Sequence, residues 1–142
     1  MPSRRRSWTD GERDVRLLLD THAFLWWLAG EDALSPAARA AISDDGNHVF
    51  ISAASTWEIA TKHRIGKLPG VAAIVSDLDR TIVDQGFVGL PISLRHGQVA
   101  GTLPGPHRDP FDRMLIAQAM LESLTLVSNE RPFDAYGVGR LW

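Results

Sequence analysis

The chain has 142 residues, 44% of them hydrophobic and 23% charged, which suits one globular domain and excludes long-range disorder. It holds no cysteine, so a disulfide framework, a thiolate zinc site, an iron–sulfur cluster and a cysteine nucleophile are excluded. With 15 Lys and Arg against 17 Asp and Glu, the net charge of −2 argues against a partner held by phosphate contacts alone, unless the carboxylates serve a purpose that outweighs their repulsion.

Residues 1–14 are polar and aperiodic and read as a disordered lead-in or a cloning remnant. Arg4-Arg5-Arg6 is followed by no apolar region, so it is not a signal peptide. Val15 to Leu19 is a short, abrupt apolar run, as in a buried parallel strand, and it ends at Asp20-Thr21. A helix over about 22–29 follows. Its apolar run, Ala23 to Ala29, stops at Gly30, far short of the roughly 20 residues of a membrane span, and a cytoplasmic protein is expected. Ser35-Pro36 supplies a cap and a first-turn proline for a second helix, about 36–43.

After Gly46-Asn47, His48 to Ser52 is the next strand, and a third helix, about 53–65, closes at Gly66. Val71, Ile74, Val75, Leu78 and Ile82 have the spacing of a fourth, amphipathic helix. Phe87 to Ile92 reads as a third strand, with Ser93 capping a short helix after it. Thr102 to His107 is a Pro- and Gly-rich loop. Asp109-Pro110 opens a strong helix, about 110–122. Leu124 to Ser128 is a fourth strand, a helical turn over about 131–135 follows, and Val138 to Trp142 makes a short fifth strand. Strands alternating with helices predict a single α/β domain over 15–142, with a mainly parallel sheet of four to five strands flanked by helices.

In such a sheet, ligands bind beyond the carboxyl ends of the strands. Asp20 and Glu130 follow two strand ends, Glu58 lies early in the helix after another, and Asp112 lies in the first turn of the helix before the fourth strand. Each has a bland reading: Asp20 as a helix cap, Ser55-Thr56-Trp57-Glu58 as a capping box, Asp112 as an acid at a positive helix end, Glu130 as a solvated loop acid. Together they make a cluster whose repulsion calls for a cation, and hard oxygen donors select Mg²⁺ or Mn²⁺. The chemistry that follows is metal-assisted phosphodiester hydrolysis.

Lys62 and Lys67, with Arg64, and also Arg108 and Arg113, are candidates to hold RNA phosphates. His22, His63, His96 and His107 show no metal-ligand spacing and, like strand-initial His48, read as surface or core residues. Trp26, Trp27 and Trp57 read as core. No phosphate-loop, dinucleotide or α/β-hydrolase fingerprint occurs. A receiver-like phosphoacceptor domain would want a Lys after a late strand, and none follows Lys67.

Four segments, in order, resemble the PIN-domain ribonucleases, most closely their VapC-type toxins from bacterial toxin–antitoxin pairs. They are Leu17 to His22; Ile51 to Ala60 with Lys62 and Gly66-Lys67-Leu68; His107 to Arg113 with Leu115 to Ala119; and Leu126 to Glu130 with Phe133 and Tyr136-Gly137. The resemblance implies Asp20, Glu58 and Asp112 as metal-binding, catalytic acids. Its last block ordinarily carries Asp where Glu130 aligns, one methylene longer, and Glu130, Asn129 or Asp109 completes the set. Ser128 resembles the family's hydroxyl beside the site, and Thr21 and Asp109 take supporting roles. The implied protein is a Mg²⁺- or Mn²⁺-dependent endoribonuclease using metal-activated water and leaving a 3′-hydroxyl and a 5′-phosphate. It implies a homodimer and a cognate antitoxin as well. The other reading is a catalytically silent PIN-like module that binds RNA or protein.

Overall fold

The computed structural model describes residues 15–142 of the chain. The expectation for residues 1–14 lies outside the described residues. Strands β1 (Arg16–Leu19), β2 (His48–Ser52), β3 (Val88–Leu90), β4 (Thr125–Val127) and β5 (Arg140–Leu141) form one sheet in the order β3-β2-β1-β4-β5. Every pairing is parallel, with Leu18 of β1 opposite Phe50 and Leu126. β1 is central because Leu17, Leu18 and Leu19 are all fully buried, which only a strand covered on both faces permits.

Side chains alternate along each strand, so the two faces feed two cores. Leu17 and Leu19, with Val49, Ile51 and Val127, join Phe24 and Trp27 of α1 (Thr21–Ala29), Ala38 and Ile42 of α2 (Pro36–Ser43) and Ile59 of α3 (Ala53–Arg64). Leu18 and Leu126 point the other way, to Leu115, Ile116 and Ala119 of α7 (Pro110–Glu122) and to Phe133 in a 3-10 turn over Arg131–Tyr136. α6 (Leu94–Thr102) packs on α7.

Local signals set the helix starts. Ser35 accepts from the Ala38 N–H and Pro36 follows it. Ser93 and His96 cap α6 reciprocally, the N–H of each residue donating to the other's side chain. α1 stops at Gly30, whose φ of 66° is left-handed.

Two expectations are corrected. The helix predicted across Val71 to Ile82 is two short ones, α4 (Ala72–Val75) and α5 (Leu78–Asp84). Asp77 interrupts it because its carboxylate accepts from the Arg80 N–H and caps a new helix instead of continuing the old. The capping box at Ser55 and Glu58 does not form, because Ser52 is the cap of α3 and accepts from the Ala54 N–H at 2.9 Å. Ser55 and Glu58 therefore sit inside the helix, and Glu58 is released for other work.

Candidate active site

Because all strands run one way, β1, β2 and β4 end at the same edge, and α7 begins there. Asp20, Glu58, Asp112 and Glu130 meet at that edge around a cavity of about 110 Å³, joined by Thr21, His22, Lys62 and Asp109. Asn129 is exposed and outside the lining.

Asp20 is the N-cap of α1 and only 4% exposed; its Oδ1 accepts from the Ala23 N–H at 2.8 Å. Its pKa is raised, first by burial and further by the charge of Glu130; bonds from the Ser128 hydroxyl and the Ala23 N–H pull it back. Ser128, fully buried, also accepts from the Glu130 N–H at 3.0 Å, so one hydroxyl ties the first acid to the backbone of the last. Thr21 Oγ1 donates to Glu58 Oε1 at 2.6 Å and meets the buried Ser55 hydroxyl at 3.1 Å. Lys62 Nζ lies 2.5 Å from Glu58 Oε2, one helical turn along α3, and neutralises it.

Asp112 is anchored from the loop before α7. His107 Nε2 lies 2.9 Å from its Oδ2. Burial raises the Asp112 pKa to about 6, with the charges of Asp109 and Glu58 adding to the rise and His107 opposing it. Asp109 is exposed; its Oδ1 accepts from the N–H groups of Phe111 and Asp112, so it caps α7 while edging the cavity.

The predicted cations divide. Lys62 is at the cavity; Arg108 is exposed and away from it. Arg113 is committed to three carbonyls, those of Ala100 (3.0 Å), Leu103 (2.5 Å) and His107 (2.9 Å), and ties the α6–α7 loop. Two histidines read as surface or core are in the site: His22 on its rim and His107 on Asp112. No spacing rule finds them, because the loop fold and not a helical or strand period brings them there. Trp57, read as core, is 64% exposed, with its ring 5.0 Å from that of Phe111. It stands between two apolar hollows, of about 650 and 260 Å³, that border the β3 edge of the sheet and hold none of the four acids.

Among the described residues no three His, Asp or Glu side chains form a ready-made chelate. The donors are nevertheless hard oxygens, and burial holds the pKa values of Asp20 and Asp112 up, so a cation beside them would favour their charged forms. That donor set fits a hard divalent cation.

A PIN domain family model matches residues 17–139. Ribonuclease VapC22 of Mycobacterium tuberculosis is 30% identical over 117 residues, covering 81% of this chain and 87% of that protein. VapBC2 from Rickettsia felis, solved bound to a DNA fragment from its promoter, is similar in structure at a TM-score of 0.67 and 17% identity, over 90% of this chain and 99% of that one. VapC20 of Mycobacterium tuberculosis, a sarcin–ricin loop cleaving toxin, matches at a TM-score of 0.63 and 14% identity, over 86% and 95%. At those identities the two structural likenesses speak for the fold.

Proposed function

This chain belongs to the PIN-domain family, and from that premise we propose that it is a VapC-type toxin, an endoribonuclease that hydrolyses RNA phosphodiester bonds with the aid of Mg²⁺ or Mn²⁺. The observation that carries the reading is the meeting of four acids from four separate segments around one cavity at the carboxyl edge of the sheet.

Asp20, Glu58 and Asp112 would hold the cation, with Glu130 completing the acidic lining. Such an ion would supply neutralisation of charge on the phosphoryl oxygens and a lowered pKa for a water beside them. The chain's own groups keep the donors in place. Ser128 and the Ala23 N–H orient Asp20, and Thr21 orients Glu58. Lys62 pairs with Glu58 and, lining the cavity, would offer its charge to a phosphate oxygen. Aligning the scissile phosphate against fixed donors accounts for much of the expected acceleration.

A cognate antitoxin and a second copy of the chain are the proposed protein partners. Trp57, Val88 and Leu94 are exposed apolar side chains that such partners could cover. Among the described residues no helix is long and apolar enough to cross a membrane. Glu130 lines the cavity, which favours the catalytic reading over the silent module.

The test is cleavage of total cellular RNA by the purified protein with Mg²⁺, Mn²⁺ or chelator, beside Asp20→Asn, with product ends mapped. Discrete metal-dependent cuts that vanish in the variant are expected. A folded, antitoxin-free protein that cuts no more than the variant in either metal would establish the silent module instead.

A further inference from the structure

His107 is held at the cavity by four separate anchors. Its Nε2 meets Asp112 Oδ2 at 2.9 Å. Its ring lies edge-on to Phe133, centroids 5.5 Å apart. Its backbone N–H donates to the Tyr136 hydroxyl at 3.1 Å, and its carbonyl accepts from Arg113 Nη1 at 2.9 Å. Two residues earlier the loop runs so close to Tyr136 that a Cβ on Gly105 would lie 2.7 Å from the hydroxyl, and its φ of +113° also excludes other residues. A histidine that only filled space against Phe133 would need neither the backbone clamp nor an Nε2 aimed at a carboxylate.

Asp112 has need of such a partner. An acid in the first turn of a helix ordinarily turns back to the free N–H groups there. Asp109 already accepts from the Phe111 and Asp112 N–H groups, so Asp112 has no capping duty to fix its rotamer. We propose that His107 is a positioning residue, donating from Nε2–H to Asp112 and fixing the orientation in which that carboxylate meets the divalent cation. The role needs only the neutral ring with its proton on Nε2. It rests on the metal reading above, and it adds a residue outside the acids to that site.

The experiment measures Mn²⁺ affinity by titration calorimetry, with thermal melting and RNA cleavage alongside, on wild type, His107→Phe, His107→Gln and Asp112→Asn. Phe keeps a ring against Phe133 and removes the donor; Gln restores a donor at about the distance of Nε2. His107→Phe should melt like wild type, bind Mn²⁺ roughly 10–100-fold more weakly and lose cleavage in proportion. His107→Gln should recover much of both. Wild-type affinity in a folded His107→Phe overturns the inference and leaves the metal reading standing. Equal loss in Phe and Gln overturns it too, because then the ring and not the donor matters. Should His107→Phe not fold, Tyr136→Phe decides, since it removes only the hydroxyl beneath the His107 N–H: weakened Mn²⁺ affinity supports the inference and unchanged affinity overturns it. Wild type that binds no Mn²⁺, or Asp112→Asn that binds as wild type does, removes the metal reading and this inference with it.

Discussion

A carboxylate drawn out of water costs stability, and two stand at this cavity edge, Asp20 buried and Asp112 half-buried. Asp20 and Asp112 are both held above the ordinary carboxylate pKa, chiefly by burial. Function and stability therefore oppose each other at these residues. Asp20→Asn should preserve the fold, abolish cleavage and raise the melting temperature of the metal-free protein at neutral pH by a few degrees. An unfolded variant would make Asp20 a structural cap first. The positions of the acids could be read from the sequence because Asp20 and Glu130 follow strand ends, Glu58 lies in the helix after another strand, and Asp112 lies in the first turn of a helix that a Pro marks. Glu58 was obscured by a local pattern, Ser55 to Glu58, that imitates a capping box; Ser52, one turn earlier, takes the cap instead. His107 was not legible, because a long loop folding back onto Tyr136 brings it to Asp112.

At the scale of elements, the α6–α7 connection is where packing and chemistry meet. Arg113 stands in the sequence beside an acid and looks like a phosphate ligand, yet its guanidinium holds three carbonyls, Ala100 at the end of α6 and Leu103 and His107 in the loop after it. Arg113→Met should cost about 2–3 kcal/mol in urea unfolding, since carbonyls lose charge-assisted bonds. Unchanged stability with weaker RNA binding would restore the phosphate role. α7 ends at Ser123, a non-glycine residue with a left-handed φ of 55°. Ser123→Gly should stabilise the protein by about 0.5–1 kcal/mol, read by the same unfolding assay, because glycine adopts that conformation without a Cβ clash. Element boundaries were legible wherever a cap and a proline coincide, as at Pro36 and Pro110. They were not legible at Asp77, where an apolar period continues through a residue that prefers to cap.

For the molecule as a whole, the parallel sheet gathers every strand's carboxyl end on one side, where the four candidate acids meet. Its order was not readable from the sequence, because β1 and β2 are similar apolar runs and nothing local says which lies next to β4. The gathering makes stability depend on pH and on divalent ions together. Folding raises the Asp112 pKa to about 6, so the folded state binds that proton more tightly than the unfolded chain does. The metal-free protein is thus favoured below the unfolded value near 3.8, and it loses that stability as pH rises through about 6. Mg²⁺ or Mn²⁺ should raise the melting temperature at neutral pH and have much less effect at about pH 4, where Asp112 already holds its proton. Equal shifts at both values would mean that ions bind elsewhere.

The 3-10 turn has a kinetic consequence. Glu130 stands at its head and Tyr136 at its foot, and the Tyr136 hydroxyl accepts from the backbone N–H of His107. Two acids far apart in sequence, Asp112 and Glu130, are therefore linked through one short turn. Fluctuations that open one wall of the cavity must loosen the other. In native-state hydrogen exchange, the His107 amide should open in step with the Phe133 and Gly137 amides, which bond within the turn. Tyr136→Phe should break that synchrony, letting the His107 amide exchange early while the turn keeps its own slower rate.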